Sequence, residues 1–456
     1  MQGFFDEAPC ILLKRRVFPV NNTVSVDFSR PAGPIKVMHA INNGPTAPHD
    51  DYGLYRRLTE AGIPYARLHD TAGRYGGSHY VDIPNVFPDF NADPDDPSSY
   101  DFAFTDALLK TLTDAGVEPF YRLGVTIENY HFIKAYGIIP PADPLQWAKI
   151  CAGIVRHYNE GWADGFHYGI TYWEIWNEPD NEPEIADNPM WKGTPEQYFA
   201  LYKITSRYLK ERFPSIKVGG YASCGFYALS DANFSETAHS SSRVGYFIDF
   251  FHAFMRYITA PENRCPLDFF SWHSYADVES NRLYARYARE NLDRYGFPEA
   301  ELIFNEWNPG IALRGTLQDA ANIAAMMCGM QDSPNDLCMY YDGQVSSSYC
   351  GLFDPLHHGV FKAYYAFAAW NELYKLGNAV ACSSSDGLYS AAARDASGLV
   401  LVVNTTDQPR ALDLRSGGRL TGVRMLDASH DLTDLPCDGS APVLPPYALC
   451  LLHLDL

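Results

Sequence analysis

The chain has 456 residues, of which 46% are hydrophobic and 20% charged, a composition that supports a large folded core and excludes global disorder. Its formal net charge of -20 argues against nucleic acid or an anionic membrane surface as a partner, because both would repel it. The ten cysteines form no CxxC pair and have no regular spacing, so we expect buried free thiols rather than a disulfide framework or a zinc ribbon.

The start of the chain, MQGFFDEAPCILLKRRVF, has no basic segment followed by a long apolar run. No segment approaches the roughly 20 apolar residues that span a bilayer. We therefore expect a cytoplasmic protein, unless a leader has been removed. The length predicts one large domain and a smaller one.

Short apolar or alternating runs recur along the chain, and each is followed by a stretch with helical periodicity. This alternation is typical of repeated β-α units. Eight strands are predicted, at 35–43, 63–69, 116–124, 170–177, 216–222, 267–275, 301–306 and 336–342. Eight parallel strands close a (β/α)8 barrel.

Helix signals lie between these strands. Gly62 follows the segment DYGLYRRLTEA and is placed to end that helix. Thr194 precedes a proline and is an expected N-cap. The helix that it begins carries an apolar stripe through Tyr198, Leu201, Tyr202 and Thr205.

From about Gly377 the pattern changes to strand-like runs separated by turn residues, which indicates a small antiparallel β-sandwich. The opening runs ILLKRRVF and NTVSVDF are also strand-like and are expected to complete it. We therefore predict a barrel over 33–376 and a sandwich over 1–32 plus 377–456.

The segment from about Thr71 to Phe102 is too long for an ordinary connection, and we predict a structured rim over the barrel mouth. It contains an acidic run that begins like a calcium loop. Pro94 and Tyr100, however, stand where that loop needs glycine and glutamate. A rigid rim is therefore favoured over a calcium site.

Polar residues stand at the predicted carboxyl ends of the strands, where barrel active sites are built. They are Asn42, Asn43, Arg67, His69, Asp70, Arg122, Asn177, Glu178, His273, Tyr275, Asn305, Glu306, Tyr341 and Asp342.

Two of these residues are glutamates, Glu178 after the fourth strand and Glu306 after the seventh. Hydrolysis of a glycosidic bond needs one carboxyl group that protonates the leaving oxygen and a second that attacks or activates water. We expect Arg67 to keep Glu306 ionised, and the carboxylate of Glu306 to raise the pKa of Glu178.

The motifs RLHD, WEIWNEPD, YFALYK, KVGGYA, DFFSWHSY and FNEW resemble glycoside hydrolase family 39, over roughly residues 35–376. The resemblance implies a retaining mechanism with Glu178 as acid/base and Glu306 as nucleophile. It also implies that Asn177 binds the sugar hydroxyl beside the anomeric carbon, and that His69, His273 and Tyr275 line the subsite of the cleaved sugar.

Two aromatic residues are further candidates for contacts with the sugar. Family members often place a tryptophan after the eighth strand, where this chain has CMYYDGQ, so Tyr341 is expected to take that place. Trp307, beside Glu306, is the other candidate. This departure and the unusual rim leave the identity of the substrate sugar more open than the catalytic mechanism.

The sequence contains weaker signals for metal binding and for other kinds of catalysis. Glu174 is expected to be a paired structural carboxylate inside the barrel. The adjacent His357 and His358 are expected to be loop residues rather than metal ligands, since neighbouring residues seldom bind one ion. The motifs GxSxG, HExxH and GxxxxGK[ST] are absent from the sequence. We predict no metal and no cofactor.

The sequence thus predicts a retaining, β-xylosidase-like glycosidase acting on glycosides or short oligosaccharides. An enzyme for arabinofuranosyl or uronic acid linkages is an alternative within the same family. A carbohydrate-binding barrel without catalysis is an alternative from another class. Exo or endo action and homo-oligomer formation stay open.

Overall fold

Eight parallel strands close into a barrel, and an antiparallel sheet follows it, as the sequence predicts. The computed structural model describes residues 22–69, 71, 81–126, 137–230 and 242–456. Strand β1 (Thr23–Pro34) precedes the barrel and pairs with the later sheet. The barrel strands are β2 (Val37–Asn42), β3 (Tyr65–Leu68), β4 (Glu118–Leu123), β5 (Tyr172–Ile175), β6 (Lys217–Ser223), β7 (Phe269–His273), β8 (Glu301–Trp307) and β9 (Leu337–Tyr340).

Helices connect the strands. They are α1 (Tyr55–Ala61), α2 (Ile83–Val86), α3 (Ala103–Asp114), α4 (Pro144–Glu160), α5 (Pro195–Arg212), α6 (Arg243–Thr259), α7 (Val278–Arg294), α8 (Leu317–Gln331) and α9 (Lys362–Leu376). Thr194 caps α5 in a reciprocal pair with Gln197, and Gly62 ends α1 with a left-handed φ of 66°, both as predicted. Among the described helices, none is long and apolar enough to cross a membrane.

The barrel interior is layered. A lower apolar layer contains Ala40, Phe120, Tyr172, Phe269, Ile303, Leu337 and Met339. Because side chains alternate along a strand, the next inward positions, two residues further on, face the same interior closer to the carboxyl ends. In β3 and β5 these positions hold Arg67 and Glu174, both fully buried. The functional side chains therefore rest on a filled core rather than on an open channel.

The second sheet follows the barrel. Its remaining strands are β10 (Asn378–Ser384), β11 (Leu388–Arg394), β12 (Ser397–Asn404), β13 (Arg410–Ala411), β14 (Asp413–Arg415), β15 (Arg419–Leu426), β16 (Asp431–Leu435), β17 (Val443–Leu444) and β18 (Leu449–Asp455). Eight strands are ordered β14-β1-β10-β11-β12-β18-β15-β16, and β13 pairs separately with β17. All neighbours in the larger sheet are antiparallel except β1 and β14.

Within the larger sheet, the side chains on both faces of β12 are buried. Leu399 and Leu401 join the main core, which contains helices α8 and α9, while Val400 and Val402 belong to a second core. That second core includes Leu444 of the small β13–β17 sheet, so the two sheets pack as a sandwich. The run NTVSVDF lies largely in β1 and joins this sandwich, whereas ILLKRRVF lies outside the described residues. The boundaries 33–376 and 1–32 plus 377–456 stay a prediction.

The predicted rim is described from residue 81 onward, and Asp70 and residues 72–80 lie outside the described part. The Asp82 side chain accepts hydrogen bonds from Arg122 Nη2 at 2.7 Å and from the backbone N–H of Thr126 at 2.8 Å. Both charged groups are fully buried. This ion pair fixes the rim to the carboxyl end of β4, next to the barrel mouth.

Candidate active site

The two predicted carboxylates lie together at the carboxyl ends of the barrel strands. One carboxylate oxygen of Glu178, one of Glu306 and a ring nitrogen of His273 all lie within 4.8 Å of one another. Retaining glycosidases place their two carboxyl groups about 5–5.5 Å apart, whereas inverting enzymes leave about 6.5–9.5 Å for a water molecule. The spacing of Glu178 and Glu306 fits direct attack by one carboxylate.

The backbone holds Glu178 in place. Its N–H group lies 3.1 Å from the carbonyl oxygens of both Tyr221 and Ala222, which belong to the neighbouring strand β6. Glu178 has a φ of 46°, a left-handed conformation that a residue with a side chain seldom adopts. Such a conformation persists where surrounding contacts impose it, and it is common at active sites. The turn after β5 therefore aims this carboxyl at the mouth.

Glu306 receives hydrogen bonds on both carboxylate oxygens. The Tyr275 hydroxyl donates to Oε1 at 2.6 Å, and Arg67 Nη1 donates to Oε2 at 3.4 Å. Burial and the Glu306 carboxylate raise the pKa of Tyr275 well above its usual value, so this hydroxyl keeps its proton. These two donors hold the Glu306 carboxylate in one orientation at the mouth of the barrel.

The surroundings of Glu178 do not produce the raised pKa that the sequence led us to expect. His273 Nδ1 lies 2.8 Å from Oε1, and Asn181 Nδ2 donates to Oε2 at 2.8 Å. Burial raises the pKa of Glu178, but the hydrogen bond and charge of His273, with Asn181 and Arg67, outweigh it and lower the pKa below its usual value. The pKa of Glu178 is therefore lowered, not raised as expected from the nearby Glu306 carboxylate.

His273 is the ionisable partner of both glutamates. Burial alone would lower the pKa of this imidazole, but Glu306 and Glu178 outweigh burial and raise it above 6.5. The same Nδ1 also lies 3.5 Å from Glu306 Oε2. His273 Nδ1 thus lies between the two carboxylates and within hydrogen-bond distance of Glu178, and their charges favour its protonated form.

A buried network lies beneath the two glutamates. Arg67 Nε donates to Glu174 Oε2 at 2.8 Å, and Arg67 Nη2 donates to Asn177 Oδ1 at 2.5 Å. Asn305 Nδ2 donates to the other oxygen of Glu174 at 2.6 Å. Glu174 is therefore a paired structural carboxylate, as predicted. Its pairing orients Arg67 toward both Asn177 and Glu306.

Two further predicted site residues, His69 and Tyr341, follow strands β3 and β9. His69 is buried at the end of β3, where its backbone N–H donates to Asn43 Oδ1 at 3.1 Å. Tyr341 follows β9 and is partly exposed, with its ring centroid 5.2 Å from that of Tyr349. The Tyr275 ring lies 5.9 Å from the same Tyr349. Tyr275, Tyr341 and Tyr349 thus form an aromatic cluster beside Glu306.

Trp307 is not positioned to contact a sugar. It is 0% exposed, and its ring packs edge-on against Tyr340 at 5.4 Å and near Phe304. Because Glu306 lies toward the mouth, the next side chain of the strand points outward into the core between barrel and helices. The prediction of a sugar contact for Trp307 is therefore wrong.

Two polar residues near the site, Asn181 and Asp180, were not predicted from the sequence. Asn181 binds Glu178, but it lies in an irregular loop with no motif of its own. Burial, and secondarily the charge of Glu178, raises the pKa of Asp180 to about 7. Only the position of Asp180 after a strand end could have pointed to it. The pKa of Asp342, one of the predicted strand-end residues, is also raised to about 7, mainly by burial and with a smaller contribution from Glu306.

Among the described residues, Glu178, His273 and Glu306 form the one cluster of three side chains whose spacing would suit a metal ion. Their mutual hydrogen bonds, with those from Tyr275 and Asn181, already account for their arrangement. His357 bonds to Asp354 Oδ2 at 2.6 Å and is exposed on a loop.

Comparison with known proteins agrees with this geometry. The sequence model of glycosyl hydrolases family 39 matches residues 74–349, more than half of the chain. The chain belongs to this family. A second model, that of the C-terminal immunoglobulin-like domain of D-apionate lactonase, matches residues 386–450 in the sandwich.

Two curated relatives of the chain are named as β-xylosidases. The protein of Geobacillus stearothermophilus is 23% identical over 344 residues, which cover 64% of this chain and 61% of the relative. The protein of Caldicellulosiruptor saccharolyticus is 25% identical over 313 residues, covering 60% of this chain and 57% of the relative. The chain thus spans about three fifths of each relative's length.

Solved structures of similar fold cover almost the whole chain. A glucosidase from Croceicoccus marinus superposes with a TM-score of 0.73 at 21% identity, covering 96% of this chain and 99% of its own. A family 39 β-xylosidase from Caulobacter crescentus gives 0.67 at 20% identity, covering 95% and 100%. These likenesses establish the shared fold of barrel and sandwich.

Proposed function

We propose that the chain is a retaining glycoside hydrolase that acts on β-xylosides or closely related glycosides. The observation that carries this proposal is the approach of Glu178 and Glu306 to within 4.8 Å at the carboxyl face of the barrel. Membership of glycosyl hydrolases family 39 and the two β-xylosidase relatives support it.

In the first step the carboxylate of Glu306 attacks the anomeric carbon while Glu178 gives a proton to the glycosidic oxygen. The bond between that oxygen and the anomeric carbon breaks, and the leaving group departs as an alcohol. A covalent glycosyl ester on Glu306 remains. In the second step Glu178 takes a proton from water, the water oxygen attacks the anomeric carbon, and the ester bond breaks. Two inversions give net retention of configuration.

The proton for the first step is supplied within the site. His273 holds it at Nδ1, 2.8 Å from Glu178 Oε1. When a substrate covers the mouth and excludes water, the neutral pair of imidazole and carboxylic acid becomes more favourable than the charged pair, because charges are costly without solvent. Transfer of the proton across this hydrogen bond makes Glu178 the acid.

The remaining site residues have binding roles in this proposal. Asn177, oriented by Arg67, binds the sugar hydroxyl next to the anomeric carbon. His69 lines the same subsite, and Tyr275 both lines it and holds Glu306. Tyr341 offers an aromatic edge or face to the sugar, in a position where a tryptophan is common in the family. Trp307 is left out because it is buried in the core.

Release of nitrophenol from a panel of aryl glycosides tests the proposal. The panel contains β-xyloside, β-glucoside, α-arabinofuranoside and uronide substrates, and a Glu306→Gln variant is the control. We expect hydrolysis of the β-xyloside, loss of activity in the variant, and a first product of retained configuration by proton NMR. No hydrolysis of any substrate, or an inverted product, would refute the proposal. Preference for the furanoside or uronide would reassign the sugar.

A further inference from the structure

A cavity adjoins the barrel mouth. Its volume is about 360 Å³, which is within the usual range of ligand pockets. The loops that follow β2 and β9 form it, and these two strands are neighbours in the barrel. It therefore opens on the same carboxyl face as Glu306. Its lining residues are Pro45, Thr46, Ala47, Asp51, Tyr52, Gln344, Val345, Ser346, Pro355 and His358.

The walls of this cavity are held by backbone hydrogen bonds. The Gly343 N–H donates to the Asn42 carbonyl at 2.8 Å, and the Val345 N–H donates to the Pro45 carbonyl at 2.9 Å. Arg314 donates to the carbonyls of Val345 at 3.2 Å and Cys350 at 2.7 Å. The two loops are thus tied to each other and to the barrel. A ligand would meet a preformed shape and lose little free energy in ordering it.

A buried carboxyl group connects the cavity with the catalytic centre. Asp342 accepts a hydrogen bond from the backbone N–H of Gln344, a lining residue, at 3.2 Å. It also lies close enough to Glu306 for that carboxylate to contribute to raising its pKa. Asp342 therefore contacts the cavity lining through Gln344 and lies near Glu306.

The chemistry of the lining favours a neutral sugar. Tyr52 and His358 stack with ring centroids 3.6 Å apart and an angle of 13°, which gives the cavity a rigid aromatic side. Gln344, Ser346 and Asp51 supply amide, hydroxyl and carboxylate groups. Aromatic side chains with a few polar groups are typical of sites that bind polar ring compounds. The lining contains Asp51 and no lysine or arginine, so an anionic ligand is disfavoured.

The position of the cavity in the barrel indicates which side of the cleaved glycosidic bond the cavity binds. In the closed order β2 to β9, the seam between β9 and β2 lies opposite the seam between β5 and β6. Glu178 follows β5, and its backbone is bonded to β6. The leaving group is protonated by Glu178, so it lies on that side of the mouth. The cavity lies on the other side, beyond Glu306.

We propose that this cavity binds a second sugar unit, attached to the cleaved sugar on the side away from the leaving group. The inference rests on the proposed glycosidase function and adds a substrate class to it. The chain then accepts the glycoside of a disaccharide and releases that disaccharide intact, rather than removing single terminal sugars only.

Two substrates test this: 4-nitrophenyl β-xyloside and 4-nitrophenyl β-1,4-xylobioside, with products separated by chromatography. Wild-type protein should release intact xylobiose from the second substrate. In Tyr52→Ala, the ratio of kcat/KM for the xylobioside to that for the xyloside should fall about 3- to 10-fold, the loss expected for one aromatic contact. Tyr374→Ala is the matched control, because Tyr374 is also 37% exposed and lies near a histidine, His39, but on helix α9.

Binding of xylobiose to the Glu306→Gln variant, measured by calorimetry, separates the two proposals. Xylobiose should bind more tightly than xylose, and adding Tyr52→Ala should remove the difference. Binding with this dependence but no hydrolysis in wild type would overturn the glycosidase function and keep the sugar site. Hydrolysis of the xyloside with an unchanged ratio in Tyr52→Ala, or release of xylose alone, would overturn the second subsite and keep the function.

Discussion

His273 Nδ1 and Glu178 Oε1 lie 2.8 Å apart, within hydrogen-bond distance of each other. The neighbouring carboxylates raise the pKa of the imidazole, and the imidazole outweighs burial to lower the pKa of Glu178. We therefore expect the pair to keep a proton up to a pH above the usual pKa of histidine. The apparent pKa for loss of that proton belongs to the pair rather than to either residue.

The pH dependence of kcat/KM should report this pair. In wild type the basic limb should lie above pH 6.5, because the shared proton is retained until His273 titrates. In His273→Gln only Glu178 can hold the proton, so the basic limb should move to lower pH. Initial rates with an aryl glycoside between about pH 4 and 9 measure both profiles. A basic limb that stays in place or moves upward would contradict proton sharing.

Tyr275 stabilises the nucleophile through its hydroxyl, which donates to Glu306 Oε1 at 2.6 Å. Tyr275→Phe removes that bond and keeps the ring. Hydrogen bonds to charged groups contribute about 1.5–3 kcal/mol, so we expect kcat/KM to fall by about 10- to 150-fold. Tyr349→Phe, whose ring lies 5.9 Å from Tyr275, is the control. Equal effects of the two substitutions would show that the hydroxyl of Tyr275 has no special role.

The buried pair of Arg67 and Glu174 should matter for stability. Both side chains are 0% exposed, and Glu174→Gln leaves the guanidinium without its principal counter-charge. Breaking a buried pair in this way costs about 3–5 kcal/mol in the free energy of unfolding. Glu60→Gln breaks exposed pairs with Arg56 and Arg57 and should cost about 1 kcal/mol or less. Urea unfolding of both variants measures the difference, and comparable losses would contradict the structural role of Glu174.

Glu178→Ala should affect substrates according to their leaving groups. A good leaving group departs without protonation, so hydrolysis of 2,4-dinitrophenyl glycosides should be reduced much less than that of alkyl glycosides. Azide fits the space left by the side chain and should restore part of the rate, giving a glycosyl azide of retained configuration. Equal loss for both substrates and no response to azide would remove Glu178 from the role of acid/base.

The barrel was predictable because its signals are local. Each strand is a short apolar run that ends in polar residues, and the eight predicted positions correspond to β2–β9. The placement of Glu178 and Glu306 at one face follows from parallel strands. Likewise, the pairing of Glu174 follows from its place within the predicted fourth strand, four residues before Glu178. These inferences need only the strand period and the topology.

What the sequence did not contain is the orientation and coupling of individual side chains. The register between β7 and β8 shifts between Trp272 and His273, an irregularity that strand alternation does not predict. The low pKa of Glu178 depends on a contact with His273, which is 95 residues away in the chain. Asn181 reaches Glu178 from an irregular loop. Such contacts are fixed by tertiary packing and leave no local pattern.

In the proposed mechanism, Glu306 forms a covalent bond to the sugar. Incubation with 2,4-dinitrophenyl 2-deoxy-2-fluoro-β-xyloside, followed by peptide mass spectrometry, detects this bond. We expect one fluorosugar per chain, attached to the peptide that contains Glu306, and inactivation at the same rate as labelling. Attachment to a different residue, or full hydrolytic activity in a protein whose Glu306 has been replaced by alanine, would contradict it.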